Sequence, residues 1–129
     1  MSEGILTLVA DDEALARRKL RRLASGVEWI GDVMEAEDGP SAVSLIDEHR
    51  PLLVFLDIRM PGVSGIEVLE RIEHRPHVVF TTAYDRYAVT AFELQALDYL
   101  LKPFGTERFE QAMDRVWAEI GRGTRDPDG

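Results

Sequence analysis

Five short apolar runs alternate along the chain with five longer stretches whose apolar positions recur at helical spacing. The runs are ILTLVA (5–10), DVMEA (32–36), LLVFL (52–56), HVVFTT (77–82) and DYLLK (98–102). The first, third and fourth are nearly continuous and β-rich, which predicts strands buried on both faces of a parallel sheet. The second and fifth are weaker and predict edge strands. Between the runs, Ala16, Leu20 and Leu23 share one face of a first helix; Ala42, Leu45, Ile46 and His49 do so in a second, and Ile66, Leu69 and Ile72 in a third. Ala88, Ala91, Phe92 and Gln95 predict a shorter fourth helix, and Phe109, Ala112, Met113, Val116 and Ile120 a fifth.

Punctuation between the elements agrees with this order. DGPSAV (38–43) reads as a turn entering the second helix, and Ser64 with Glu67 predicts a capping box at the start of the third. The segment 121–129 has no apolar residue and predicts a linker or tail. Alternating strands and helices imply a parallel sheet covered on both faces, joined by right-handed crossovers. In such sheets ligands sit beyond the carboxyl ends of the strands.

The chemistry collects at those ends. The first strand runs into Asp11, Asp12 and Glu13, the third into Asp57, the fourth ends at Thr82 and the fifth at Lys102. A parallel sheet brings all of these to one edge. Taken singly, each has an ordinary explanation: Asp57 begins a turn, the acidic pair favours a helix N-terminus, and Lys102 lies on the surface. Their joint placement favours a site. Crowded carboxylates repel, and a hard divalent cation relieves that repulsion, Mg²⁺ being the natural choice. Lys102 and Thr82 are suitable donors to phosphoryl oxygens, and a carboxylate is a competent nucleophile toward phosphorus. The set therefore reads as a site for phosphoryl transfer to Asp57.

Composition narrows the picture. At 129 residues the chain is long enough for one domain with a real core. A formal net charge of −9 argues against nucleic-acid binding by this chain itself. There is no cysteine, hence no disulfide or thiolate chemistry. No run is long enough to span a membrane and no signal peptide is recognisable, so a cytoplasmic location is expected.

VADDE (9–13), FLDIRMPGVSG (55–65), TTA (81–83) and DYLLKPF (98–104) resemble the signature segments of response-regulator receiver domains, over roughly residues 5–121. The resemblance implies a flavodoxin-like (CheY-like) doubly wound five-stranded parallel sheet in the order 2-1-3-4-5 with five helices. It implies a receiver domain over 1–121 and a linker or flexible tail over 122–129. It makes Asp57 the phosphoacceptor for a sensor histidine kinase. Asp12 and Asp57 would ligate Mg²⁺ directly with the carbonyl of Arg59, Asp11 would act through a metal-bound water, and Thr82 and Lys102 would hold the phosphoryl group. Tyr99 takes the place of the aromatic switch residue, and the Lys102–Pro103 bond that of a peptide usually cis. The segment 81–104 is most similar to receivers that precede a LytTR-type DNA-binding domain, which implies transcriptional control through an output domain outside this chain. A stand-alone receiver working through protein–protein contacts is the alternative. The resemblance also implies a phosphorylation-dependent homodimer through helix four, strand five and helix five, with Asp85, Arg86, Glu93 and Asp98 as candidates for contacts across it.

Two other chemistries use similar elements. A haloacid-dehalogenase-like phosphatase has a second Asp two residues after its nucleophile, where this chain has Arg59. A flavodoxin-like FMN protein has a hydroxyl- and Gly-rich phosphate loop after its first strand, where ADDEALA is acidic. The complete set of Asp11, Asp12, Asp57, Thr82 and Lys102 also speaks against a degenerate receiver. Arg59 and Tyr84, two residues beyond Asp57 and Thr82, should flank the phosphoryl site with large side chains. ARRKLRR (16–22) reads as a solvated helix face, Trp29 and Trp117 as packing residues, and the three histidines as too scattered for a metal site.

Overall fold

All five apolar runs become strands of one sheet. The computed structural model describes residues 4–84 and 96–124. In chain order they form β1 (Ile5–Ala10), α1 (Ala14–Ala24), β2 (Ile30–Ala36), α2 (Gly39–His49), β3 (Leu53–Asp57), α3 (Gly65–Arg71), β4 (His77–Thr82), β5 (Asp98–Leu101) and α4 (Thr106–Thr124). The strand order is β2-β1-β3-β4-β5 with every pairing parallel, so the two weakest runs are indeed the edges. This is the receiver-type α/β fold expected. The predicted fourth helix, with Ala88, Ala91, Phe92 and Gln95, lies outside the described residues, as do Asp85, Arg86 and Glu93. The predicted fifth helix is α4, and it runs to Thr124, three residues past the expected domain end at 121.

Alternation along the strands divides the core in two. Leu8, Val54, Leu56 and Phe80 face one side, where Ala42 and Ile46 of α2 and Val68 and Leu69 of α3 cover them. Val9, Phe55 and Val79 face the other, covered by Leu20 of α1 and by Phe109, Ala112, Met113 and Val116 of α4. Phe55 and Phe109 stack across that interface with centroids 5.8 Å apart. The helix periodicities thus meet the sheet largely as read. In α3 the buried face includes Val68, and Ile72, although buried, is the cap that ends the helix. Trp29 and Trp117 stack on each other at 5.3 Å, yet Trp117 stays 52% exposed, so it packs with one face only.

Helix starts follow local chemistry. The Asp38 side chain accepts the Ser41 N–H at 2.8 Å, with Pro40 in the first turn of α2. The capping box at Ser64 is present: Ser64 Oγ accepts from Glu67 N and Glu67 Oε1 from Ser64 N, both at 3.2 Å. Directly after it, Gly65 sits so close to β3 that a Cβ there would lie 2.4 Å from the Asp57 carbonyl oxygen. The N-terminus of α3 is thereby drawn against the strand end that carries the site. Ser64→Ala should lower unfolding free energy by about 1 kcal/mol, read as a reduced urea midpoint with an unchanged denaturant slope.

Candidate functional site

At the carboxyl edge of the sheet, Asp11 and Asp57 are buried and Asp12 is exposed. Asp57 is the last residue of β3, paired with Thr81 of β4, and Asp11 directly follows β1. Each buried carboxylate has one oxygen fixed by the backbone two residues on. Asp11 Oδ1 accepts from Glu13 N at 2.9 Å, and Asp57 Oδ1 from Arg59 N at 3.0 Å. The other oxygens share Lys102, whose Nζ donates to Asp11 Oδ2 at 2.8 Å and Asp57 Oδ2 at 3.1 Å. Glu13 at the rim lies 3.6 Å from the same ammonium. Lys102 is brought in by the end of β5, where its N–H donates to the Thr82 carbonyl at 2.7 Å. The Lys102–Pro103 peptide is cis, as expected.

One ammonium between two buried carboxylates leaves the interior of the site negative. Burial, and then the charge of Asp11, push the Asp57 pKa up to about 6, against the hydrogen bond from Arg59 N and the charge of Lys102. Burial opposes the Lys102 ammonium, but its hydrogen bond to Asp11 and the charge of Asp57 more than offset this and raise its pKa. Asp11, Asp12 and Asp57 each offer an oxygen, all within 4.8 Å of one another. Hard oxygen donors with surplus negative charge fit Mg²⁺ well. A cleft of about 450 Å³ lined by Asp12, Ile58, Arg59 and Met60 opens beside them.

Thr82 is buried, and its hydroxyl is engaged in its own loop: Oγ1 accepts from Tyr84 N at 3.0 Å and lies 3.5 Å from the Tyr84 carbonyl oxygen. Arg59 and Tyr84 do meet at the rim, the guanidinium carbon 5.0 Å from the ring centroid. Tyr99, on β5, is half-buried against the core face that carries Phe80.

Two surface readings need correction. Asp98 was expected to reach across a dimer interface, but its side chain is turned inward and only 3% exposed. Arg108 grips it with both Nη atoms, at 2.7 and 3.0 Å, and also donates to the Tyr99 carbonyl, while Arg115 lies 3.4 Å away. Those arginines, seven apart on α4, were the signal in the sequence; such a spacing places both on one helix face. The basic segment of α1 is likewise not simply solvated. Arg17 and Arg21 pair with Glu35 of β2, at 2.9 and 3.3 Å. Lys19 donates to the Phe104 carbonyl and covers the Phe104 ring, 4.4 Å from its centroid.

Comparison with known proteins agrees with the geometry. The response regulator receiver domain model matches residues 7–114. The transcriptional regulatory protein BtsR of Salmonella typhi is 44% identical over 117 residues, covering 89% of this chain and 49% of that protein. The sensory transduction protein LytT of Oceanobacillus iheyensis is 46% identical over 114 residues, covering 84% and 46% respectively. The chain thus spans about half the length of the curated relatives it matches. Relatives of the BtsR, LytT and LytR kinds are the LytTR-type group to which the segment 81–104 pointed. Among solved structures, the response regulatory domain of mrkE from Klebsiella pneumoniae superposes with a TM-score of 0.83 at 28% identity, covering 92% of this chain and 99% of that one. The receiver domain of AraT, a response regulator from Geobacillus stearothermophilus, gives 0.82 at 32% identity, with coverages of 94% and 98%.

Proposed function

The chain belongs to the response regulator receiver domain family, and we propose that within it Asp57 takes a phosphoryl group from the phosphohistidine of a sensor kinase. The observation that carries this reading is the Lys102 ammonium hydrogen-bonded to both buried carboxylates at the end of β3 and β1. In the transfer, an Asp57 oxygen forms a bond to phosphorus as the P–N bond of the donor breaks, and the departing imidazole nitrogen keeps the electron pair. Lys102 would neutralise charge on the transferring oxygens. Thr82 donates to them once its hydroxyl turns from Tyr84, and Tyr99 moves into the space so vacated. Asp12, Asp57 and the Arg59 carbonyl would hold Mg²⁺, and Asp11 would act on it indirectly; the ion would supply charge neutralisation for the transferring group. The chain catalyses only its own phosphorylation and dephosphorylation.

Mass spectrometry after treatment with acetyl phosphate and Mg²⁺ tests the reading. One added phosphoryl mass, mapped to Asp57, is expected; no label, or label elsewhere, rejects it. The relatives' names support a transcriptional output for the whole protein, and the proposal sets it in the cytoplasm. Among the described residues no helix is long and apolar enough to cross a membrane. We further propose self-association on phosphorylation through the predicted fourth helix, β5 and α4. Sedimentation with Mg²⁺ and beryllofluoride should show a dimer, and an unchanged monomer at high concentration removes that part of the proposal.

A further inference from the structure

Arg17 holds the backbone between the two acids that follow β1. Its Nη1 donates to the Asp11 carbonyl at 2.8 Å, and its Nε donates to Glu35 Oε1 at 2.9 Å. The side chain is only 12% exposed, so the guanidinium is fixed rather than solvated. Glu35 belongs to β2 and precedes Ala36, whose carbonyl accepts the Asp11 N–H at 3.0 Å. The end of β2 thus holds Asp11 twice, directly at its N–H and through Arg17 at its carbonyl. Local chemistry offers no substitute, since Glu13, the N-cap of α1, makes no side-chain cap hydrogen bond. Asp12 is exposed, and its carboxylate makes no hydrogen bond or ion pair among the described residues. A peptide unit is planar, so fixing the Asp11 carbonyl fixes the direction in which the chain enters Asp12.

We propose that Arg17 is a positioning residue for Mg²⁺ binding: anchored on Glu35, it holds the Asp11–Asp12 peptide so that the Asp12 carboxylate stays beside those of Asp11 and Asp57. The proposal rests on the reading of Asp12 and Asp57 as metal ligands and adds a residue outside the ligand set. Simple charge predicts the opposite effect. A guanidinium this close to an acidic cluster repels a cation, so on Coulomb grounds its loss should tighten Mg²⁺ binding. A partner that orients a ligand acts the other way, and its loss weakens metal binding by about tenfold or more. The sign of the effect separates the two roles.

Titration of Mg²⁺ alone into the wild type, Arg17→Met and Arg17→Lys tests this, with backbone amide chemical shifts of the folded protein reporting saturation. Far-ultraviolet circular dichroism and urea midpoints verify that each variant folds. Arg17→Met keeps the apolar stem and removes both hydrogen bonds, and it should weaken Mg²⁺ binding about tenfold. Arg17→Lys keeps the charge but loses the planar fork that reaches Asp11 and Glu35 together. It should weaken binding by a smaller factor, where charge alone predicts no change. Tighter binding in Arg17→Met, or lower stability with wild-type Mg²⁺ affinity, overturns the positioning role while leaving the metal site intact. Should Arg17→Met fail to fold, wild-type affinity in Arg17→Lys overturns it equally. Failure of the wild type to bind Mg²⁺, or binding unaffected by Asp12→Ala, overturns the metal site as well.

Discussion

Asp57→Ala should abolish uptake of a phosphoryl group from acetyl phosphate in the presence of Mg²⁺, by roughly 10³-fold or more. The expectation is large because the substitution removes the nucleophile itself, and no neighbour can replace it. Asp11 is the other buried carboxylate, but it is 0% exposed against 5% for Asp57, so it offers an incoming phosphoryl group no open face. Asp12 is exposed at the rim. Lys102→Met should slow the reaction without ending it, since it removes charge neutralisation but leaves the nucleophile and the acidic cluster. Initial rates of mass gain distinguish the two variants. Equal rates in Asp57→Ala and wild type would show that the phosphoacceptor lies elsewhere.

The same carboxylate should cost the protein stability. Asp57 is buried beside Asp11, and its pKa in the folded chain is pushed up to about 6 from an ordinary 3.8. Folding then favours the protonated form. Its favourable contribution is fully present below pH 3.8 and is lost as pH rises through about 6. Asp57→Asn keeps the shape and removes the charge. It should therefore raise unfolding free energy at pH 7.5 by about 2–3 kcal/mol, on the scale of 1.4 kcal/mol per pKa unit. Lys102 keeps a partner in that variant, because its 2.8 Å hydrogen bond to Asp11 remains. Urea denaturation at several pH values should show the gain growing between about pH 4 and 6 and then levelling off. Mg²⁺ should stabilise the wild type by mass action more than it does Asp57→Asn, narrowing the difference. A variant no more stable than wild type at pH 7.5 without Mg²⁺ would mean that Lys102 fully compensates the buried charge.

Much of this molecule is written locally. Strand identity follows from short β-rich runs, and helix faces from a period that sequence neighbours carry. Ser64 and Glu67 cap α3 because both donors and acceptors lie within one turn. The edge strands are legible because a run covered less completely can be less apolar. The gathering of groups at one edge was legible too: in a parallel sheet every strand end lies on one edge, so Asp11, Asp57, Thr82 and Lys102 converge by topology alone. Asp98 shows where local reading stops. An exposed-looking acid at the start of β5 proves to be buried, because Arg108 and Arg115 reach it from α4. Such pairing depends on the angle and distance at which a helix docks, which no local pattern encodes.

The sequence by itself determined the order of strands and helices, the two faces of the core and the set of ionisable groups at one edge. These depend on periodicity and chain direction, and both are properties of neighbouring residues. Tertiary structure alone decided which carboxylate oxygens Lys102 takes, that Asp57 is buried deeply enough to resist ionisation, and that the Thr82 hydroxyl is held by Tyr84 rather than left open. It also decided that Arg59 and Tyr84, 25 positions apart in sequence, meet across the mouth of the site. Desolvation and hydrogen-bond choice depend on ångström distances between segments remote in sequence, and those distances exist only once the sheet has closed them.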